Sequence, residues 1–445
     1  MIAGTHSGVG KTTVATGLMA AFAQRGLRIG AAKVGPDYID PGYHALAAGR
    51  PSRNLDAWLC GEDAIVGLAH RAADGRDLLV VEGVMGLFDG AAGSSPAGFA
   101  STAHVARLLD APIVLVVDAA AMSGSVAALV HGFARFDPTL RLAGVILNRV
   151  GSDSHEAMLR EALAPGEMPV LGVLRRDGAL TWRDRHLGLV PVVEHPAEVL
   201  HALDRLAATI GRSCDLPAIE AVARSAGAVA FAPARGPSPV VADRVALAVA
   251  SGPAFSFSYP DNLEALEAAG AEIVPFDPLT AAALPTGARG LIIGGGFPEV
   301  YAAELASNDQ LRADVHRRVK AGLVTWAECG GLLWLSRTLD GKSMAGVLPC
   351  AATMGDRLTL GYRTATVLSD SPLATAGTVL HGHEFHYSAI DPAGDALALS
   401  GRTGSSRGGY VSPTLLASYL HLHLGASPHL AESFVRQAGR DPVPG

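Results

Sequence analysis

A lysine and two threonines behind a glycine-rich turn are the first residues in the chain equipped for chemistry. In Met1-Ile2-Ala3-Gly4-Thr5-His6-Ser7-Gly8-Val9-Gly10-Lys11-Thr12-Thr13 a short apolar run enters the turn and leaves it as a helix. Gly8 and Gly10 free backbone N–H groups to point at phosphate oxygens, and the helix N-terminus adds partial positive charge. Lys11 then neutralises the β- and γ-phosphates of ATP, and the Thr12 hydroxyl sits on Mg²⁺. The spacing departs from the strict G-x-x-x-x-G-K-[ST] form, because Thr5 stands where its first glycine would be and Gly4 lengthens the loop by one residue. A glycine turn that binds nothing needs no lysine and threonine at its helix start, so a nucleotide site is expected.

Carboxylates follow at places suited to this site. Gly35-Pro36-Asp37-Tyr38-Ile39-Asp40-Pro41 leaves an expected strand, where ligands bind in open α/β sheets, although a plain turn would use the same residues. Glu82 ends another apolar run with Gly83 after it, which suits a Mg²⁺ ligand or a turn cap. Asp56 is a third acidic candidate. Mg²⁺ usually takes only one or two carboxylates, so the set exceeds the need of one ion.

A second chemistry lies far downstream. In Val324-Thr325-Trp326-Ala327-Glu328-Cys329-Gly330-Gly331 an apolar strand ends on a cysteine, and the glycines turn it into a helix. Such an elbow exposes a thiol at a helix N-terminus and favours the thiolate, so Cys329 is expected to be a nucleophile. Cys60, Cys214 and Cys350 read as buried and inert. Histidines able to serve as its base cluster at His381–His386 and at His421 and His423. An H-x-H pair also suits a metal, but a closed zinc site would need further ligands at definite spacing. Gly294-Gly295-Gly296-Phe297-Pro298-Glu299 offers the Gly295 and Gly296 N–H groups for an oxyanion hole.

Continuous Val/Ile/Leu runs predict the strands that hold these residues, at 27–33, 77–84, 112–118, 142–150 and 169–174. Helices are expected at 123–136 and 155–163. Such runs belong to a parallel sheet covered on both faces, so the first half reads as a P-loop, doubly wound, mainly parallel α/β domain. The rhythm weakens from about residue 205, and the Pro/Gly/Ser-rich stretch 232–239 reads as a linker. Strands at 244–250, 272–276 and 289–294 and a helix at 259–269 restart an α/β pattern. The expected domains are therefore 1–205, a linker at 206–243, and 244–436.

The totals exclude other classes. At 445 residues the chain holds two cores. A net charge of −7 points away from nucleic acid and membrane surfaces, and no apolar run is long enough to span a membrane. Four scattered cysteines make neither a disulfide framework nor a zinc ribbon. With the phosphate loop at the very start no signal peptide is expected, and the cytoplasm is the expected compartment.

Together the motifs resemble the cobyrinic or hydrogenobyrinic acid a,c-diamide synthase family, glutamine amidotransferases of cobalamin biosynthesis. The resemblance rests on K-V-G-P-D-Y-I-D-P-G-Y-H (33–44), V-E-G-V-M-G-L-F-D-G (81–90), G-G-G-F-P-E (294–299), E-C-G-G (328–331), G-H-E-F-H (382–386) and A-S-Y-L-H (417–421). The first half also resembles dethiobiotin synthetase, which implies Thr12, Asp56 and Glu82 as Mg²⁺ ligands and Asn148 as an adenine contact. The second half resembles a class I glutaminase of the cobalamin type, which implies Cys329 as nucleophile and His421 as its base. Common class I triads carry a Glu two residues past the histidine. Here that place is His423, which implies a Cys–His dyad or a different orienting group. Asp37, Tyr38, Asp40 and Asp89 match family positions at the ATP and corrin site.

The implied substrates are glutamine, ATP and a corrin carboxylic acid, amidated through acyl phosphates, and a homodimer is compatible with this reading. The rivals are amidation of cobyric acid or another polycarboxylate, and a P-loop switch protein. The latter usually has an extra lysine where His6 stands and needs no cysteine elbow. Arginine far outnumbers lysine, a GC-rich signature that leans toward the cobalt-free substrate.

Overall fold

Apolar runs without alternation leave no face for water, and the structure buries them on both sides. In this computed structural model, which describes residues 1–92, 98–176, 184–185, 188–189, 191–194, 196–229, 238–402 and 404–440, the chain divides into two compact units, Met1–Pro233 and Ala234–Gly445. The first unit contains β1 (Ile2–Gly4), α1 (Lys11–Gln24), β2 (Ile29–Val34), α2 (Asp40–Ala48), β3 (Arg53–Leu55), β4 (Leu78–Glu82), β5 (Ile113–Asp118), β6 (Leu142–Val150) and β7 (Val170–Arg175). These strands pair in parallel in the order β3-β2-β4-β1-β5-β6-β7. Val116, Val117, Ile146 and Leu147 have no exposed surface. The chain leaves β1 toward β2 on one side and later fills the other side from β5 onward. The loop after β1 therefore sits at the switch point where such sheets bind ligands.

The first unit reaches further than the sequence suggests. Helices α3 (Pro196–Ser213) and α4 (Leu216–Arg224) cover the sheet beside α1, with Leu206, Ile210 and Ile219 sharing a core with Leu18 and Phe22. A Cβ on Gly17 of α1 would stand 2.6 Å from Ile210 Cγ1, so the helices touch almost backbone to side chain. The boundary expected at 205 falls inside α3, and residues 206–213 and 216–224 of the expected linker are helical. The missed signal is the helical spacing of Val199, Leu203, Leu206 and Ile210, all buried. Residues 232–237 of the expected Pro/Gly-rich linker lie outside the described residues.

The second unit contains β8 (Val245–Ala250), α5 (Pro260–Ala268), β9 (Ala271–Phe276), β10 (Gly290–Ile293), β11 (Val324–Glu328) and α6 (Gly330–Leu335). After these come β12 (Ala351–Val367), β13 (Val379–Asp391), β14 (Tyr410–Ser412), β15 (Leu415–Ser418) and β16 (His421–Leu422). One sheet has the order β9-β8-β10-β11-β15-β14, parallel except for the β14–β15 pair. β12 and β13 form a long antiparallel hairpin in another sheet, to which β16 adds. Only Tyr419 and Leu420 separate β15 from β16, so the chain changes sheets just before His421. Among the described residues no helix is long and apolar enough to cross a membrane.

Close approach of backbone to backbone supplies a stability test. A Cβ on Gly30 of β2 would lie 2.3 Å from the Ala72 carbonyl oxygen of the helix Glu62–Ala73. Gly30→Ala is expected to cost about 1–3 kcal/mol and lower the melting temperature by several degrees in a thermal scan.

Candidate functional site

Each unit assembles reactive side chains where a parallel strand ends. In the first, Gly8 and Gly10 take positive φ of 80° and 97°, a region that L side chains avoid, and bring the chain round to the first turn of α1. The Asn148 side chain, at the end of β6, donates to the Val9 carbonyl at 2.8 Å and closes on Gly10, where a Cβ would stand 2.3 Å from Nδ2. Arg149 donates to the Gly8 carbonyl at 2.9 Å and pairs with Asp118. The loop is thus held from the neighbouring strand ends.

Below the loop lies a charged cluster. The Thr12 hydroxyl reaches Glu82 Oε1 at 2.8 Å and Asp40 Oδ2 at 3.2 Å. Lys33 and Glu82 are register partners on β2 and β4, and Lys33 Nζ donates to Glu82 Oε1 at 2.7 Å and Asp40 Oδ2 at 2.5 Å. Asp37 stands 3.7 Å from the same ammonium. The other oxygen of Glu82 takes His44 Nε2 at 2.6 Å, with neither side chain exposed. Burial opposes the Glu82 charge, but Lys33 and His44 outweigh it and hold the carboxyl below its usual range. Burial and the neighbouring Asp37 push Asp40 well above its own. Burial, with Lys33 adding, pulls Lys11 down to about 8, against Glu82, Asp40 and Asp89. Lys11 Nζ rests on the His6 carbonyl at 3.2 Å.

This cluster fits a hard divalent cation by its donors: a hydroxyl and two carboxylate oxygens, with more negative charge than one ammonium balances. Of the expected ligands, Thr12 and Glu82 come together, and the carboxylate that joins them is Asp40. Asp56 Oδ1 accepts the Trp58 and Leu59 N–H groups and caps the short helix Ala57–Cys60. Asp37 Oδ1 accepts the Ile39 and Asp40 N–H groups, shaping the turn that delivers Asp40 at the start of α2. Asn54 pins that turn through the carbonyls of Gly35 and Asp37. Tyr38 lies half-buried within it, Thr13 is half-buried on α1, and exposed Asp89 accepts the Gly86 N–H.

In the second unit Cys329 follows β11 at φ 47° and ψ −99°, a conformation costing about 1–3 kcal/mol. Its N–H donates to the Ser418 carbonyl at 2.8 Å on β15, which holds the turn. Both glycines after it are required by space: a Cβ on Gly331 would meet the Ile293 carbonyl oxygen at 2.4 Å, and one on Gly330 the Gly296 nitrogen at 3.1 Å. His421 is hydrogen-bonded to the Cys329 thiol, and its Nδ1 lies 3.4 Å from Glu328 Oε2. Burial disfavours a charge on His421, yet Cys329 and Glu328 outweigh it and raise the imidazole to about 10. The ring stacks on His383, its register partner across β13 and β16, at 4.9 Å. His383 Nε2 bonds to the Tyr259 hydroxyl at 2.9 Å, and burial followed by the two neighbouring histidines keeps His383 well below its usual range.

Of the expected oxyanion donors, Gly295 is engaged: its N–H donates to the Phe257 carbonyl at 3.2 Å. The Gly296 amide is the one that lies against the Cys329 turn. Lys33, His44 and Glu328 are the members the sequence reading did not single out, although every one lies inside a motif it quoted, and His383 is the member of the His381–His386 cluster that stacks on His421. Their signal is strand register, which places Lys33 opposite Glu82 and His383 opposite His421, and register is not visible in a single sequence.

A nucleotide-type phosphate loop in one unit and a cysteine–histidine pair on a strand–helix elbow in the other define an amidotransferase joined to a nucleotide-binding domain. Comparison with known proteins agrees. Residues 1–190 match the CobQ/CobB/MinD/ParA nucleotide binding domain, and residues 246–429 match the CobB/CobQ-like glutamine amidotransferase domain. The chain is 51% identical to the hydrogenobyrinate a,c-diamide synthase of Streptomyces coelicolor, over 98% of this chain and 96% of that one. It is 46% identical to the protein of the same name from Mycobacterium bovis, covering 98% and 97% of the two chains. The cobyrinate a,c-diamide synthase of a Synechococcus strain is 44% identical, again over 98% and 97%. The chain belongs to the a,c-diamide synthase family, and it is an amidating ligase.

The histidines of the second unit predict its acid sensitivity. Burial holds His386, stacked on Tyr419 at 3.7 Å, down at about 4. A base depressed in the folded state is protonated more readily when unfolded. Its contribution is therefore present above about pH 6.5 and lost as pH falls toward 4. The melting temperature of this unit is expected to drop over that window, and His386→Phe, which keeps a ring on Tyr419, is expected to flatten the drop in a pH series of thermal scans.

Proposed function

We propose that the chain amidates the a and c carboxylates of hydrogenobyrinic acid, using glutamine as nitrogen donor and ATP with Mg²⁺ to activate each carboxylate. The observation that carries this is the pairing, in one chain, of the Cys329–His421 elbow with the Lys11–Thr12–Asp40–Glu82 cluster. The higher identity to relatives named for the cobalt-free acid than to those named for cobyrinate favours that substrate, and cobyrinic acid is the second reading. Synthetase chemistry is assigned to Met1–Pro233 and glutaminase chemistry to Ala234–Gly445. The substrates are small molecules, and a cytoplasmic enzyme fits their chemistry.

The Cys329 thiolate attacks the side-chain carbonyl carbon of glutamine, and the C–N bond breaks as His421 passes a proton to the departing ammonia. Water, giving its proton to His421, then attacks the thioester and releases glutamate and the free thiol. The Gly296 N–H is assigned to the oxyanion. In the synthetase unit a corrin carboxylate oxygen attacks the γ-phosphorus of ATP, forming an acyl phosphate and ADP. Ammonia then displaces phosphate and leaves the amide. Backbone N–H groups around Gly8 and Gly10 bind the phosphates, and Lys11 carries charge that develops on the transferred group. Thr12, Asp40 and Glu82 would hold Mg²⁺, which supplies further charge neutralisation on the phosphoryl oxygens. Asn148, Asp37, Tyr38 and Asp89 border this region and are assigned to nucleotide and corrin binding.

Purified protein given ATP, Mg²⁺, glutamine and either corrin acid, with products followed by chromatography and mass spectrometry, tests the assignment. Diamide from hydrogenobyrinic acid at the higher rate is expected. No amidation of either corrin by ATP-binding protein contradicts it. Cys329→Ala is expected to lose glutamine-dependent synthesis and keep synthesis from ammonium salt. Lys11→Ala is expected to lower both by about 10²–10³-fold.

A further inference from the structure

A histidine that hands a proton to departing ammonia and takes one back from water needs an acceptor on its far nitrogen. Two residues beyond His421 stands His423, whose Nδ1 accepts the Gly425 N–H at 3.1 Å and whose ring lies on Tyr259 at 4.5 Å. The carboxylate beside His421 comes from elsewhere. Glu328, the residue before the nucleophile, brings Oε2 to 3.4 Å from His421 Nδ1. Its Oε1 accepts the Leu422 N–H at 2.9 Å, so the strand that carries His421 also fixes the carboxyl group.

Adjacent residues of a strand point to opposite faces, so a nucleophile and its neighbour would not ordinarily meet one imidazole. The φ of 47° at Cys329 breaks that alternation at the end of β11. Thiol and carboxylate then both meet His421. Glu328 is 6% exposed and His421 2%, so water does not screen their interaction.

We propose that Glu328 is the positioning residue for His421: it accepts the Nδ1 proton, leaves Nε2 for the thiol, and balances the imidazolium formed during glutamine cleavage. The triad then runs Glu328, Cys329, His421 in chain order, with the acid next to the nucleophile. The proposal rests on the reading of Cys329 and His421 as a glutaminase pair.

The test uses the full chain with Glu328→Gln. Steady-state glutamine hydrolysis and the pH–rate profile for alkylation of Cys329 by iodoacetamide are measured, with ammonia-dependent amidation as the folding control. Loss of kcat by about 10²–10⁴-fold with KM little changed is expected, together with a shifted alkylation profile. The groups facing His421 are Cys329, Glu328, the stacked His383 and, through its charge, His386, so His383→Phe is run alongside to assign the shift. Wild-type kcat and an unmoved profile in Glu328→Gln overturn the proposal. If that variant also loses the ammonia-dependent reaction, Glu328→Asp decides: partial glutaminase with a near wild-type profile is expected, and a loss equal to that of the Gln variant overturns it. A Cys329→Ala protein that still hydrolyses glutamine would instead overturn the glutaminase reading itself.

Discussion

A carboxylate with no exposed surface, Glu82 at the tip of β4, organises the first unit. A buried charge survives only when it is paired and hydrogen-bonded, and removing one partner of such a pair typically costs about 3–5 kcal/mol. Glu82 has His44 on one oxygen and Lys33 with Thr12 on the other. Those three residues come from α2, β2 and α1, so satisfying one charge fixes the helix that follows the phosphate loop and the turn that presents Asp40.

The second unit meets a similar demand with backbone strain. Cys329 is held at positive φ by its bond to the Ser418 carbonyl and by the lack of room for any side chain at Gly330 and Gly331. Energy spent on that turn places a thiol and a carboxylate around one buried imidazole. In both units the reactive groups stand just past the carboxyl ends of parallel strands, where side chains escape the sheet and backbone N–H groups become available. The charge logic differs. The synthetase cluster has excess negative charge suited to a cation and facing Lys11, whereas the glutaminase site sets a thiol and one carboxylate against a single imidazole.

Much of this was legible in the sequence because it is local. The phosphate loop, the cysteine elbow and the strands β4, β5, β6 and β8 are contiguous patterns of glycine and apolar residues. What escaped depends on distant residues meeting. Helices α3 and α4 were read as the start of a linker, because their apolar stripe is recognisable only against α1. Asp40 meets Thr12 because a turn shaped by Asp37 swings it inward. Gly295 has its N–H taken by Phe257, a bridge between segments far apart in the chain. Glu328 was in view beside Cys329 but, on a regular strand, would have pointed away from it.

If glutaminase and synthetase chemistry belong to one reaction, nitrogen released at Cys329 is the nitrogen installed on the activated carboxylates. The most direct measurement supplies [amide-¹⁵N]glutamine, ATP, Mg²⁺ and hydrogenobyrinic acid in the presence of unlabelled ammonium, and reads the isotope content of the product by mass spectrometry while ADP is quantified. A diamide carrying ¹⁵N at both new amides is expected, with one ADP formed per amide. Unlabelled product, or glutamine hydrolysed without ATP-dependent amidation, would contradict it.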